Sequence, residues 1–214
     1  MKGHILKLVM AIMIAITLVT CTKFGKNITV KGRVINPITN EPISGITVFM
    51  HQSWKSKTIK KMVTGQDGEF ELSATHLGHV WAGTNYANYQ DYYDLGWDYQ
   101  NKYYSEIKVN KGKTMNVDYH LVPYGEIKTP IHNINCGGGN DTLIFKRTNI
   151  TFPHLSVFQP FTLTGCYNNE GAYAEVPSGD YKIEWTVIRN GVSNTYSHIL
   201  TVPGNGQASY NIEY

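Results

Sequence analysis

The chain has 214 residues, 19 Lys plus Arg against 16 Asp plus Glu, and a formal charge of +3. Two of the lysines, Lys2 and Lys7, lie in the first twenty residues, so the remainder carries 17 basic against 16 acidic side chains and a charge of +1. A near-neutral chain offers no electrostatic footprint for nucleic acid or an anionic membrane surface. Only 16% of residues are charged, while Gly (20) and Tyr (15) are abundant, which suits strands and turns better than helices.

Taken in order, Lys2 and Lys7 form a basic start, and an apolar run follows from Leu8 to about Val19. That run is short of the roughly 20 residues a helix needs to cross a bilayer, and it reads as a secretory signal peptide over residues 1–20. Leu18-Val19-Thr20-Cys21 resembles the lipobox of bacterial lipoproteins, with Thr20 where Gly, Ala or Ser is usual. The resemblance implies cleavage before Cys21 and acylation of its thiol, giving a lipid anchor in a membrane. The alternatives are an ordinary signal peptide or an uncleaved anchor with an incidental cysteine. Several acyl chains on one residue hold stably, where a single chain binds marginally. Thr22 is not the Asp that retains some lipoproteins in the inner membrane, so the expected location is the outer membrane. Lys23-Phe-Gly-Lys lacks an acidic export run, which favours the periplasmic face and leaves the cell surface as the alternative.

Residues 21–27 read as a lipidated tether. Short alternating runs then begin. Ile28–Ile35 has period two and is expected as a strand; Asn36-Pro37 and Asn40-Glu41-Pro42 mark a turn. Ile46–Met50 and Lys57–Val63 are the next strands, and Gln66-Asp67-Gly68 turns the chain into Glu69–Leu72, with Phe70 and Leu72 on one face. Gly32-Arg-Val-Ile-Asn-Pro-Ile-Thr-Asn-Glu-Pro-Ile-Ser-Gly-Ile-Thr-Val, followed by Thr64-Gly-Gln-Asp-Gly-Glu-Phe-Glu-Leu, resembles the carboxypeptidase regulatory-like domain. Gly65 stands in that family's usual Asp/Asn place. The resemblance implies a transthyretin-like, Greek-key β-sandwich over residues 28–122, a structural or binding module without the zinc peptidase domain.

The pattern restarts at Leu121-Val-Pro-Tyr-Gly, and Pro123 and Gly125 set the expected boundary of a second β-sandwich, residues 123–214. Strands are expected near Thr142–Phe145 and Phe161–Thr164. Tyr181–Val187 alternates, Asn190-Gly191 is a strong hairpin signal, and Val192–Val202 returns. A two-residue turn there pairs Tyr181 with Leu200, Ile183 with His198 and Trp185 with Tyr196 on one apolar face. Gly204-Asn205-Gly206 leads into a last strand, Ala208–Tyr214. The expected fold class is therefore all-β, two consecutive β-sandwiches after a signal peptide.

Cys136 and Cys166 are a candidate disulfide, given an oxidising compartment. Nothing near them has the spacing of a metal site. The densest chemistry lies at Trp81–Tyr104, where Trp81, Tyr86, Tyr89, Tyr92, Tyr93, Trp97 and Tyr99 stand as candidate ligand-binding residues, with Tyr103 and Tyr104 beside them. Asn85, Asn88, Asp91, Asp94 and Asp98 are interleaved. Rings offer flat apolar faces to sugars or proteins, and Asn and Asp exchange hydrogen bonds with hydroxyls; the alternative is that the rings pack inside the sandwich. Asp91, Asp94 and Asp98 lack the spacing of a Ca²⁺ loop. His76 and His79 fall on opposite faces of a strand, and His198 belongs to the hairpin's apolar face. Gly137-Gly138-Gly139 reads as a loop, and no motif for a nucleophile, zinc or phosphate is present. No cofactor, metal or catalytic residue is expected, so the expected function is a non-catalytic binding or scaffold module of the envelope. An envelope protein or a glycan is the candidate partner; glycan binding or adhesion through the Tyr/Trp-rich segment 81–104 is one alternative, and a hydrolase assembled from scattered Asp, Glu and His is the other.

Overall fold

The structure, a computed structural model, describes residues 26–52, 57–76, 78–85, 91–155 and 159–214. The expected signal peptide, Cys21, and the candidate ring residues Tyr86 and Tyr89 lie outside the described residues. Ten strands make up the first part of the chain: β1 (Lys26–Ile35), β2 (Thr47–His51), β3 (Thr58–Val63), β4 (Glu69–His76), β5 (Val80–Asn85), β6 (Tyr92–Tyr99), β7 (Lys102–Tyr104), β8 (Ile107–Val109), β9 (Thr114–Asn116) and β10 (Asp118–Lys128). The second part adds β11 (Ile131–His132), β12 (Thr142–Asn149), β13 (Phe161–Thr164), β14 (Asn168–Asn169), β15 (Ala174–Pro177), β16 (Gly179–Arg189), β17 (Val192–Val202), β18 (Gln207–Ser209) and β19 (Ile212–Glu213). Among the described residues the one helical element is a 3₁₀ turn at Pro153–Leu155, and no helix is long and apolar enough to cross a membrane. The protein is all-β.

The first part packs one sheet against another. Strands β4-β1-β10-β6-β7 lie side by side, and β3-β2-β5-β8 form a separate four-stranded sheet. Alternation decides which side chains meet between them. In β1, Ile28 and Val30 point inward; Val30 stands opposite Leu72 of β4, while Val48 and Met50 enter from β2. At the centre sits Trp97, fully buried, with Phe70 edge-on at 5.7 Å and Tyr119 at 5.0 Å. Gly68 closes the turn into β4 with φ +68°, and a Cβ there would stand 2.5 Å from the Val34 carbonyl oxygen, which excludes any larger residue without rearrangement.

Strand β10 does not stop at Pro123. Its first residues pair with β1 and β6, and from Tyr124 to Lys128 the same strand pairs with β15 and β18. Where the sequence suggested a break, the strand changes partners. Val122, Leu95 and Phe152 form a small apolar cluster on one side of this exchange, and Ile127, Tyr181 and Val202 form another.

In the second part, β13-β12-β16-β17 form a four-stranded sheet and β14-β11-β19 a three-stranded one. The hairpin pairs Tyr181 with Leu200, Ile183 with His198 and Trp185 with Tyr196, as the alternation predicts. Its turn uses Asn190 at φ 49° and Gly191 at φ 78°, the left-handed pair a two-residue hairpin loop requires. The expected last strand is interrupted: between β18 and β19, Tyr210 stacks on His198 at 3.9 Å and lies against Trp185 at 5.8 Å.

Cys136 and Cys166 are joined as a disulfide with Cα atoms 5.3 Å apart, 30 residues apart in sequence. Beside it, Asp141 accepts hydrogen bonds from Gly137 N (2.9 Å), Asn133 Nδ2 (3.1 Å) and Arg189 Nε (3.1 Å). Those donors, the Gly137 amide first, hold its carboxyl below the ordinary carboxylate range. Arg189 also donates to Asn133 Oδ1 and lies over the Tyr214 ring.

Candidate ligand-binding groove

The groove begins with the alternation of β5. Val80 and Ala82 are buried in the core, so Trp81 between them must face away from it, and it is half-buried on the opposite side of the sheet. Its neighbours across the ladder are His51 of β2 and Lys108 of β8. In β8 the pattern repeats, with Ile107 and Val109 buried and Lys108 exposed. The third contribution comes from the tight β6–β7 hairpin. Gln100 and Asn101 take positive φ values of 54° and 60°, which folds β7 back on β6 and brings the Tyr99 and Tyr104 rings to 6.4 Å.

Trp81, Tyr99 and Tyr104 thus converge on one open groove of about 290 Å³, with Glu106, Lys108 and Asn110 at its edge. Glu106 Oε1 lies 3.3 Å from Nε2 of the buried His51. Tyr104 is 39% exposed and supplies the open ring face. The groove sets angled apolar ring surfaces, Tyr99 and Tyr104 at 61° to each other, beside an anion, a cation and an amide. Such a surface can stack on the C–H face of a sugar ring while its rim trades hydrogen bonds with hydroxyls.

The structure divides the candidate ring residues. Trp81 and Tyr99 line the groove. Trp97, expected as a candidate binding residue, is in the core, because a register shift opposite His120 and Leu121 and a positive φ at Gly96 bury Leu95, Gly96 and Trp97 in succession. Tyr92 packs on the same core. Tyr93 packs against the Leu95–Val122–Phe152 cluster, edge-on to Tyr124 at 6.2 Å. Asp94 is likewise engaged: both its oxygens accept the Tyr119 hydroxyl, at 2.6 and 2.7 Å, and burial pushes its carboxyl up. Among the described residues, no group of three or more His, Cys, Asp or Glu is placed to hold a metal ion.

Glu106, Lys108, Asn110 and the groove role of Tyr104 are absent from the sequence reading. A signal existed in Glu106-Ile-Lys-Val-Asn110, which alternates polar and apolar and so declares a polar face, but the approach of the β6–β7 hairpin to that face is a tertiary fact. Two larger clefts lie elsewhere. One of about 720 Å³ runs along β1 and β4, mixing Lys31 and Arg33 with Asp67, Glu69 and Glu71. Its size does not make it a site: its aromatic lining residue, Phe70, is 3% exposed and belongs to the core, and Asp118 on its wall already accepts the Arg33 amide at 2.7 Å. The other, about 460 Å³, gathers Asp91, Glu126 and Glu175 beside Tyr124. Glu126 there accepts a hydrogen bond from Gln207.

No family model matches the chain, and no curated protein matches it, so the likeness of residues 28–72 to the carboxypeptidase regulatory-like domain remains a resemblance. Solved structures are similar in outline. The Bacillus anthracis TIE protein is 14% identical with a TM-score of 0.37, over 88% of this chain and 34% of that one, so the chain spans about a third of that protein. A DUF3823 family protein from Bacteroides uniformis is 11% identical with a TM-score of 0.33, over 83% of this chain and all of that one. A minor pilin of Streptococcus agalactiae is 11% identical with a TM-score of 0.32, over 88% and 94%. At such scores these likenesses carry no argument about family, ligand or partner.

Proposed function

We propose that this chain is a non-catalytic binding module of the bacterial envelope, anchored through Cys21, that holds a glycan in the groove of Trp81, Tyr99 and Tyr104. The observation that carries the reading is the convergence of three rings from separate strands on one open surface, with Glu106, Lys108 and Asn110 around it. Trp97 is wholly inside the core, whereas Tyr99, though packed against that core on one side, joins Trp81 and Tyr104 in lining an open surface. A sugar is the ligand that uses both halves of such a surface, apolar ring face and hydroxyl rim. The anchoring part of the reading rests on Leu18–Cys21 and the apolar run before it.

The test is a screen of the full chain against immobilised glycans, repeated with Tyr104→Ala. Retention of one glycan class by the wild type and its loss in the variant supports the reading; equal retention by both excludes the groove. Membrane fractionation of Cys21→Ala tests the anchor, because release into the soluble fraction is expected. Protease digestion of intact cells then assigns the face of the membrane. The hydrolase reading draws on Asp91, Glu126 and Glu175 in the 460 Å³ cleft. Glycan turnover that disappears in Glu175→Gln, with binding retained, replaces the non-catalytic reading with that one.

A further inference from the structure

A second surface, independent of the groove, lies along the free edge of β17. This strand ends its sheet, in the order β13-β12-β16-β17, and among the described residues is paired on one side only, from Gly179 opposite Val202 to Arg189 opposite Val192, without a register shift. The two-residue turn fixes which backbone groups are used. Arg189 and Val192 close the hairpin as a hydrogen-bonded pair, so Val192, Asn194, Tyr196 and His198 bond to β16. Ser193, Thr195, Ser197 and Ile199 direct their N–H and C=O groups to the open side. Residues 192–197 and 199 are exposed, including Val192 at 60%, Tyr196 at 50% and Ile199 at 59%.

Edge strands are ordinarily guarded by charge, proline, a bulge or shortness, because an open row of backbone groups pairs with any strand that reaches it. The other edges of this protein are guarded. Strand β3 carries Lys60 and Lys61, β4 carries Glu69 and Glu71, β7 carries Lys102, and β13 has four residues. Strand β17 has eleven residues, Val-Ser-Asn-Thr-Tyr-Ser-His-Ile-Leu-Thr-Val, with no Lys, Arg, Asp, Glu or Pro. On one face of it, Tyr210 stacks on His198 and Trp185 on Tyr196.

We propose that β17 pairs antiparallel with β17 of a second copy of this chain, joining two four-stranded sheets into one across a two-fold axis. The absence of charge selects this occupant. In an antiparallel self-pair each residue faces another from the same strand, so any charged side chain near the middle meets its like; a strand free of charge escapes that repulsion. A charged guest strand finds no complement along the edge. With the axis at Ser197, Tyr196 of each copy stands opposite the half-buried His198 of the other, and Ile199 opposite Thr195, within cross-strand reach. The contact is isologous, so it closes as a dimer.

The experiment is the mass of the full chain in detergent over a concentration series, with amide hydrogen exchange read on β17. A concentration-dependent dimer is expected. Exchange at Ser193, Thr195, Ser197 and Ile199 is expected to slow as the dimer forms, while the β16-facing amides stay unchanged. Ile199→Lys, which guards the open edge with a charge as Lys60 and Lys61 guard β3, and Ser197→Pro, which removes an outward N–H that β16 does not use, are each expected to give a monomer. Circular dichroism melting of Ile199→Lys verifies folding independently of Ser197→Pro. A wild-type monomer up to its solubility limit overturns the proposal, even if the edge then captures a strand of another protein. So does a dimer that persists in both variants.

Discussion

The two parts of the molecule solve the same problem with different means. Up to Leu121, eighteen buried residues of two facing sheets form one core around Trp97; beyond it, the corresponding core has eight, from Ile131 to Tyr214. A smaller core buries less apolar surface and contributes less at roughly 25 cal/mol per Å². It is the second part that carries the disulfide and the buried Asp141–Asn133–Arg189 network. The lesson is that stability comes from packing in one part and from covalent and polar fastening in the other. The two proposed binding surfaces lie at the margins of these devices: the groove at the edge of the first core, and the open edge of the second part's hairpin.

The comparison is broken most forcefully at Trp97. Trp97→Ala empties the centre of the first core and is expected to cost about 3–5 kcal/mol in denaturant unfolding; a loss near that of an exposed ring contradicts the core's single-centre packing. Removing the bridge with Cys136→Ser and Cys166→Ser is expected to cost about 3–4 kcal/mol for a closed loop of this length. Hydrogen exchange should show the loosening in β12, β16 and β19 and leave β1 and β4 unchanged. Non-reduced peptide mapping of the native chain should recover the two cysteines in one fragment. Uniform loosening of both parts contradicts the division drawn here.

A smaller effect separates polar fastening from packing. The Asp141 carboxyl titrates below its unfolded value of 3.8. A carboxylate depressed by folding contributes stability that is present above the unfolded pKa and lost as pH falls through the folded one. Acid unfolding of the wild type should therefore steepen below about pH 4, and Asp141→Asn should remove that part of the slope while weakening the protein at neutral pH. The smallest change is at Gly191. No atom lies within 4 Å of a Cβ placed there, so Gly191→Ala meets backbone strain alone and is expected to lower stability by about 1 kcal/mol.

Much of the second part was legible because its hairpin obeys local rules. Asn190-Gly191 and strict alternation suffice to pair Trp185 with Tyr196, since neither depends on distant contacts. The candidate site was legible only in part. Trp81 could be assigned outward from Val80 and Ala82, yet Trp97 could not be assigned inward, because the Gly96 irregularity breaks the period that assigns faces. Pro123 and Gly125 look like a boundary in sequence, whereas in the fold the strand passes through and exchanges neighbours. Those two residues mark where the partners change, a Cβ on Gly125 standing 2.2 Å from the Pro203 carbonyl oxygen, but they do not show that the strand continues. Tyr104 and Glu106 gained a role through the folding back of β7, which Gln100 and Asn101, neither of them glycine, disguise.

The ligand, in the proposed reading, is held by the groove rings Trp81, Tyr99 and Tyr104 and by no other rings. Calorimetric titration of the full chain with the glycan class retained in the screen tests it directly, comparing the wild type with Tyr104→Ala and with Tyr173→Ala, an equally exposed ring of the second part. The account predicts that Tyr104→Ala weakens binding by about tenfold or more, in the range of an interface anchor, and that Tyr173→Ala leaves it unchanged. Equal affinity for all three proteins, or a loss confined to Tyr173→Ala, would contradict it.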